Sequence, residues 1–563
     1  MWEGVAAVAQ SGTAIVDAVV EELRSGLAEW VESSVAERVA LLRDVRLRLG
    51  AEAGGMAAEI RAAQSLPSDG PWAAEPWDIL FAAAQCVRAA EVVASRMART
   101  GQAAPPGAFR ARPDGGTAVQ VFPQRWDERL LLADYRGTVW LQSAVSPAYA
   151  RAAAGRAYRQ GGFPQPGVAL LLAAGNGASP TVSDLVHLLF DQGCTVAVKM
   201  NPVLAYLRPA MERVFSRFVE RNWVRFVDEA NEVGQYLAHH PGIDRLHMTG
   251  SAATYDGLVW GFDEQAERRR AADSPLLAKP FTAELGGVNP LIVVPGAWSA
   301  SDVRRQADRI VFAKLLNSGH VCGAPQVLIL PDRWDTTEVL LDEIRDLMRR
   351  VPARAPWYPG TAAKVERALA DQSRVEVLQP PDRRMLVTVD ADQEASLFRS
   401  EVFADVLAVV RLPAPSVRPY LTEAVHLAND RLAGSLSATV LVDSTTARRH
   451  GDALREAVAG LRYGAIGVNE WALINSALGY TTWGGYPGHT PRSIGSGVGA
   501  TMNAIGLPAP QKSIVTGRFR SPIKTPFSVT NRTAALTMQR FVGYWTTDDL
   551  RRLPATLSSA ARG

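Results

Sequence analysis

The stretch Phe281-Thr282-Ala283-Glu284-Leu285-Gly286-Gly287-Val288-Asn289-Pro290 leads, across an apolar run and an amphipathic segment, to Asn317-Ser318-Gly319-His320-Val321-Cys322-Gly323. Leu291 to Val294 is a short β-rich apolar run closed by Pro295-Gly296, which predicts a buried strand. From Ser301 to Leu316 the residues Val303, Ala307, Ile310, Val311 and Leu315 recur at helical spacing behind a Ser-Asp start, and Asn317-Ser318-Gly319 is a helix stop. Cys322 is therefore expected in a loop past a helix end and ahead of a second strand, Val327 to Leu330. Reactive side chains are commonly displayed in such loops.

Outward from this stretch, strands and helices alternate. Toward the amino end, strands are predicted at Val168 to Ala173, Cys194 to Met200, Val224 to Val227 and Arg245 to Met248. Between them lie a helix opened by Ser179-Pro180 and another near Leu204 to Phe218. Toward the carboxyl end, strands are predicted at Leu407 to Val410 and Ala438 to Val442. This pitch predicts the α/β class, with parallel, doubly wound sheets that bind ligands at the carboxyl ends of their strands. Residues 13 to 64 and Leu80 to Met97 read as helices packed against the body. Ala103 to Gly116 reads as a linker, Thr117 to Phe122 and Thr138 to Gln142 as extended pieces, and the residues from Gly499 show no clear periodicity.

At 563 residues, two or three domains are expected. Hydrophobic and charged contents of 47% and 21% are those of a soluble globular protein, and a formal charge of +3 over this length predicts no nucleic-acid partner. Three distant cysteines predict a reducing compartment, and no apolar run approaches the ~20 residues of a membrane span. A cytoplasmic protein follows as the expectation. The eight histidines show no ligand spacing and no Cys-x-x-Cys occurs, so no metal is expected. Gly175-x-Gly177-x-x-Pro180 departs from the usual dinucleotide fingerprint at its third glycine.

The glutamate of Glu284-Leu285-Gly286-Gly287, the cysteine of Asn317-x-Gly319-x-x-Cys322 and Glu401-Val402-Phe403, in this order and separation, resemble the aldehyde dehydrogenase superfamily over roughly residues 130 to 500. The resemblance implies two doubly wound Rossmann-like α/β domains plus a small β oligomerisation element, and a homodimer or homotetramer. A helical layer (1–130) would lead into a dinucleotide-binding domain (131–284) and a catalytic domain (285–475). The last segment (476–563) would complete the substrate tunnel. Lys199, Gly250, Ser251, Glu401 and Phe403 would hold NAD or NADP. Pro202 stands where NAD-preferring members often carry a glutamate, which leaves NADP admissible.

By the same resemblance, Cys322 attacks an aldehyde carbonyl, hydride passes to the cofactor, and the thioester is hydrolysed with Glu284 as base. The Asn176 side chain and the Cys322 backbone N–H receive the oxyanion. Asn176 lies between Gly175 and Gly177, where relatives carry aromatic neighbours, and Trp483-Gly484-Gly485 with Ser496-Gly497-x-Gly499 resembles the segment bordering the tunnel. Two rivals stand beside aldehyde oxidation. One is a coenzyme A-acylating or reductase-type relative using the same cysteine, against which retention of Glu284 speaks. The other is a non-catalytic scaffold of the same fold.

Overall fold

The computed structural model describes residues 9–112, 115–159, 161–228, 230–379 and 384–563. Three long helices open the chain: α1 (Ala9–Glu32), α2 (Val35–Ala63) and α3 (Glu75–Thr100). Residues 13 to 64, read as helical, form two helices separated at Ser33-Ser34. There the Ser34 hydroxyl accepts the Glu37 N–H at 3.1 Å and starts a new helix, since a serine with extended backbone satisfies a helix start better than a helix interior.

Among the described residues seventeen strands follow. They are β1 (Phe109–Ala111), β2 (Thr117–Phe122), β3 (Arg136–Leu141), β4 (Gly167–Leu172), β5 (Cys194–Lys199), β6 (Val224–Val227), β7 (Arg245–Gly250), β8 (Phe281–Leu285) and β9 (Asn289–Val293). The chain continues with β10 (Pro325–Pro331), β11 (Val375–Gln379), β12 (Arg384–Thr388), β13 (Val406–Leu412), β14 (Ser437–Leu441), β15 (Ala465–Val468), β16 (Gly497–Val498) and β17 (Pro510–Thr516). They form two sheets. The smaller has the order β16-β8-β7-β4-β5-β6, parallel except for β16. Its central strands are buried on both faces, as the β-branched run of β5 requires.

The larger sheet has the order β1-β2-β3-β17-β15-β14-β9-β10-β13-β12-β11. The small β element is therefore not a separate sheet. The antiparallel meander β1–β3 joins β17, which pairs in parallel with β15 through Ala465 and Ser513, and so extends the second α/β sheet.

The absence of periodicity expected past Gly499 is also corrected, because this region holds β17 and helices at Ala534–Thr547 and Leu553–Ala560. The longer helix buries Met538, Phe541, Val542 and Trp545 against α3, with the Phe81 and Trp545 rings 6.2 Å apart. The helix expected over Leu204 to Phe218 is three short turns, Pro202–Leu207, Arg208–Val214 and Ser216–Glu220. Pro209, which lacks an N–H, falls at one of the breaks.

Candidate active site

The helix Ala300–Leu315 starts on a capping box in which the Ser299 hydroxyl accepts the Asp302 N–H at 3.2 Å and the Asp302 carboxylate accepts the Ser299 N–H at 2.8 Å. At its far end Asn317, Ser318 and Gly319 all take left-handed backbone angles, φ 55°, 53° and 71°. This turn reverses the chain and presents Cys322, half-buried, before β10. Gly319 is obligatory, because a Cβ there would lie 2.4 Å from the Ala404 carbonyl carbon.

Asn317 ties the loop together. Its N–H donates to Glu75 at 2.7 Å, its amide donates to the carbonyls of Asn176 at 2.8 Å and His320 at 3.1 Å, and its side-chain oxygen accepts the Trp357 indole at 2.9 Å. Asn289 holds the other side, donating to the Cys322 carbonyl at 2.7 Å and the Ala324 carbonyl at 3.1 Å.

Glu284, on β8, is buried in the same crevice as Cys322, and the Trp483 indole donates to its carboxylate at 3.0 Å. Burial pushes its carboxyl up to about 7, against the opposing effect of Cys322 and Trp483. Burial, then the nearby Glu284 carboxylate, raise the Cys322 thiol well above its ordinary range. The pair therefore rests as a neutral thiol beside a carboxyl poised near neutrality. His320 faces away from the sulfur: its Nε2 lies 3.0 Å from the Thr361 hydroxyl among the rings of Trp357, Tyr358 and Phe403, and burial lowers it to about 3. It is a neutral packing residue.

Two crevices meet at Thr249, which lines both. One contains Lys199, the last residue of β5, together with Gly250, Ser251, Asn231 and Tyr358. Ser251 caps the helix Ala252–Trp260 by accepting the Thr254 N–H at 3.2 Å, so the amino end of that helix opens beside the crevice. Such an end, with its unpaired N–H groups, suits a phosphate.

Glu401 and Phe403 lie beyond the cysteine loop. The Glu401 Oε1 is buried without a hydrogen-bond partner, and its carboxyl is raised to about 8, chiefly by burial. Phe403, held at φ 57°, packs 5.4 Å from the His320 ring and 5.2 Å from Tyr358. The crevice with a strand-end lysine and a helix amino end offers a cation and N–H groups for a dinucleotide's phosphates, whereas Glu401 and Phe403 are not among the residues that line it.

The other crevice holds Cys322, Glu284 and Asn176 together. Asn176 donates one amide hydrogen to the His320 carbonyl at 3.1 Å, which fixes the side chain beside the cysteine loop. Its walls are mostly apolar, with Phe81, Trp471, Trp483 and Phe527 among them. Sequence reasoning missed Glu75 and Asp78, which α3 brings here from the amino-terminal layer read as packing alone, and Phe527, from the region read as aperiodic. The signal for α3 was two acids at its amino end within an apolar face. Among the described residues no cluster fit to hold a metal ion is found, and no helix is long and apolar enough to cross a membrane.

Comparison with known proteins adds the following. The aldehyde dehydrogenase family's sequence profile matches residues 179–374. An N-succinylglutamate 5-semialdehyde dehydrogenase of Sphingopyxis alaskensis is 35% identical over 141 residues, 25% of this chain and 26% of the relative. A D-glyceraldehyde dehydrogenase (NADP(+)) of Thermoplasma acidophilum is 26% identical, covering 49% of this chain and 57% of the relative. The chain thus spans about a quarter to just over half the length of these relatives. A solved NAD-dependent aldehyde dehydrogenase from Sinorhizobium meliloti superposes with a TM-score of 0.59 at 20% identity, covering 90% of this chain and 88% of the other. A Methanocaldococcus jannaschii glyceraldehyde-3-phosphate dehydrogenase complexed with NADP gives 0.60 at 12% identity, covering 90% and 95%.

Proposed function

We infer, for a chain that belongs to the aldehyde dehydrogenase superfamily, that it oxidises an aldehyde to a carboxylic acid with NAD or NADP, using Cys322 as nucleophile and Glu284 as base. The observation that carries this reading is Cys322 and Glu284 lining one crevice that adjoins a second one holding Lys199 and the Gly250-Ser251 helix start.

Glu284 takes the thiol proton, and the thiolate adds to the aldehyde carbon. The resulting oxyanion lies near the Asn176 amide and the Cys322 N–H, and one such donor contributes about 3 to 4 kcal/mol to an acyl-transfer barrier. Lys199, the amino end at Gly250-Ser251, Glu401 and Phe403 would hold the cofactor, which supplies a hydride acceptor. Loss of hydride leaves a Cys322 thioester. Once the thiol proton has passed to solvent, Glu284 removes a proton from water, whose oxygen adds to the acyl carbon; the C–S bond breaks, sulfur leaves as the Cys322 thiolate and takes the proton back from Glu284, and the acid leaves. A carboxyl base in the same crevice as Cys322 favours hydrolysis over transfer to coenzyme A.

The reading keeps residues 131–284 as the cofactor domain and 285–475 as the catalytic domain. It also includes a cytoplasmic homodimer or homotetramer. Exposed Trp126 and Leu130, just ahead of β3, are the surface such assembly would cover, and light scattering on purified protein decides the point.

Cofactor reduction followed by absorbance over short, long and aromatic aldehydes tests the chemistry. Cys322→Ser is expected to lower turnover about 1,000-fold or more. Glu284→Gln should slow turnover about 100-fold and abolish a kcat/KM limb that rises with pH through about 7. Unchanged turnover in Cys322→Ser, or strict dependence on coenzyme A, overturns the reading.

A further inference from the structure

A third crevice, of about 820 Å³, shares no wall residue with the one that holds Cys322 and meets the Lys199 crevice at Tyr358. It runs between the helix Thr361–Leu369 and β11, the last strand of the larger sheet. Val365, Leu369, Val375, Val377 and Met385 make its apolar wall. Ser318, Arg354 and Asp405 make a polar one.

Each member of the polar wall is buried and carries one group without a hydrogen-bond partner. Ser318, 2% exposed, has an idle hydroxyl. Arg354 directs its two terminal nitrogens to Glu75, which leaves its Nε–H without an acceptor. Asp405 lies 3.7 Å from Arg384 Nε through Oδ2, while its Oδ1 meets no donor. Burial raises the Asp405 carboxyl to about 6, with Arg384, Arg354 and Lys314 opposing, so at about pH 7 it is mostly a carboxylate.

A hydroxyl and an N–H that need an acceptor thus share one wall with a carboxylate oxygen that needs a donor. Leaving such groups buried and unpaired costs free energy that folding does not require. The charges themselves are already matched, Arg354 by Glu75 and Asp405 by Arg384. The missing piece therefore offers both a donor and an acceptor and carries no net charge. Val377 adds a second, independent signal: it is 44% exposed on an edge strand, an apolar edge of the kind that native proteins cover.

We propose that this crevice binds a free α-amino acid with an apolar side chain. Its ammonium donates to Asp405, its carboxylate accepts from Ser318 and Arg354, and its side chain covers the wall at Val377. Ser318 belongs to the left-handed turn that leads to Cys322, and Ala404, which also lines the crevice, abuts Gly319 of that turn. The bound amino acid braces the turn from outside the Cys322 crevice.

Calorimetric titration of the full-length protein, with neither aldehyde nor nicotinamide cofactor present, compares L-leucine with 4-methylpentanoate, which lacks the ammonium, and 3-methylbutylamine, which lacks the carboxylate. L-Leucine is expected to bind at least tenfold tighter than either. Asp405→Asn should weaken leucine about tenfold or more, and so should Val377→Asp, an exposed position that keeps the test decisive where the buried variant does not fold. Absence of leucine binding, equal binding of the three compounds, or an affinity that Val377→Asp leaves intact overturns the proposal. Tightest binding of 4-methylpentanoate would make this a carboxylate site and overturns it as well. Leucine should also change the rate at which iodoacetamide alkylates Cys322 in wild type and not in Val377→Asp; a rate that leucine leaves unchanged removes the brace on the turn. None of these measurements needs turnover, so they stand or fall apart from the aldehyde reading.

Discussion

Glu401 is a buried side chain held in an uncomfortable state. Its Oε1 is buried and unpaired, and burial raises its carboxyl from 4.5 to about 8, with Glu284 adding and Lys364 and Lys314 opposing. Because the folded form holds the proton more tightly than the unfolded one, this group stabilises the fold below about pH 4.5 and loses that contribution as pH rises through about 8. In cofactor-free protein, Glu401→Gln should leave Tm nearly unchanged near about pH 5 and raise it increasingly toward about pH 9. Melting curves across that range check this, and a pH-independent difference would contradict it.

The proposed catalytic pair, Cys322 and Glu284, was legible because each lies in a short run with characteristic neighbours. The indole that steadies Glu284 was legible only as a segment bordering a tunnel, because Trp483 arrives from 199 residues away. Asp78 was not legible at all, since an acid in an amphipathic helix looks solvated until the fold encloses it.

At the level of the element, the loop from Asn317 to Cys322 depends on three successive left-handed residues, and its tightest point is Gly319 against Ala404. Gly319→Ala adds a methyl group to a positive-φ residue with no room, and is expected to destabilise by about 2 kcal/mol or more. It should also change the rate at which iodoacetamide alkylates Cys322, measured beside a urea titration. An unaltered alkylation rate would mean that the turn does not set the position of the Cys322 thiol.

The loop's existence could be read from its helix stop, because caps and turns are local chemistry. β17 could not, because it carries Lys512, whose ammonium is buried and donates to the carbonyls of Ala459 at 3.0 Å and Leu461. A lysine in a strand pattern signals an exposed face, and only the carbonyl cluster at the end of a distant helix reverses that. The helix Ala534–Thr547 escaped for a related reason: its polar positions face other parts of the chain as often as water.

Across the whole molecule, one buried ionic cluster joins segments far apart in sequence. Arg88 on α3 is 1% exposed and engages Asp127, Glu128 at 3.2 Å and Asp548 at 2.9 Å. The hydroxyls of Tyr544 and Tyr480 complete it, donating to Asp127 at 2.8 Å and Glu128 at 2.9 Å. Arg88→Met would leave two fully buried carboxylates short of their cation, and is expected to cost about 3 to 5 kcal/mol in chemical denaturation. A loss under about 1 kcal/mol would show that neighbouring groups carry the charge without it.

The same cluster ties the site to the far end of the chain. α3 contributes Phe81 and Asp78 to the wall beside Cys322, and it is clamped by a helix that ends only at Thr547. Cys322 precedes that helix by more than two hundred residues in sequence, so the wall beside the thiol is secured by a segment far downstream of it. Removing Ala534–Thr547 would leave Phe81 and Asp78 on an unclamped helix, with the thiol facing an open apolar trough.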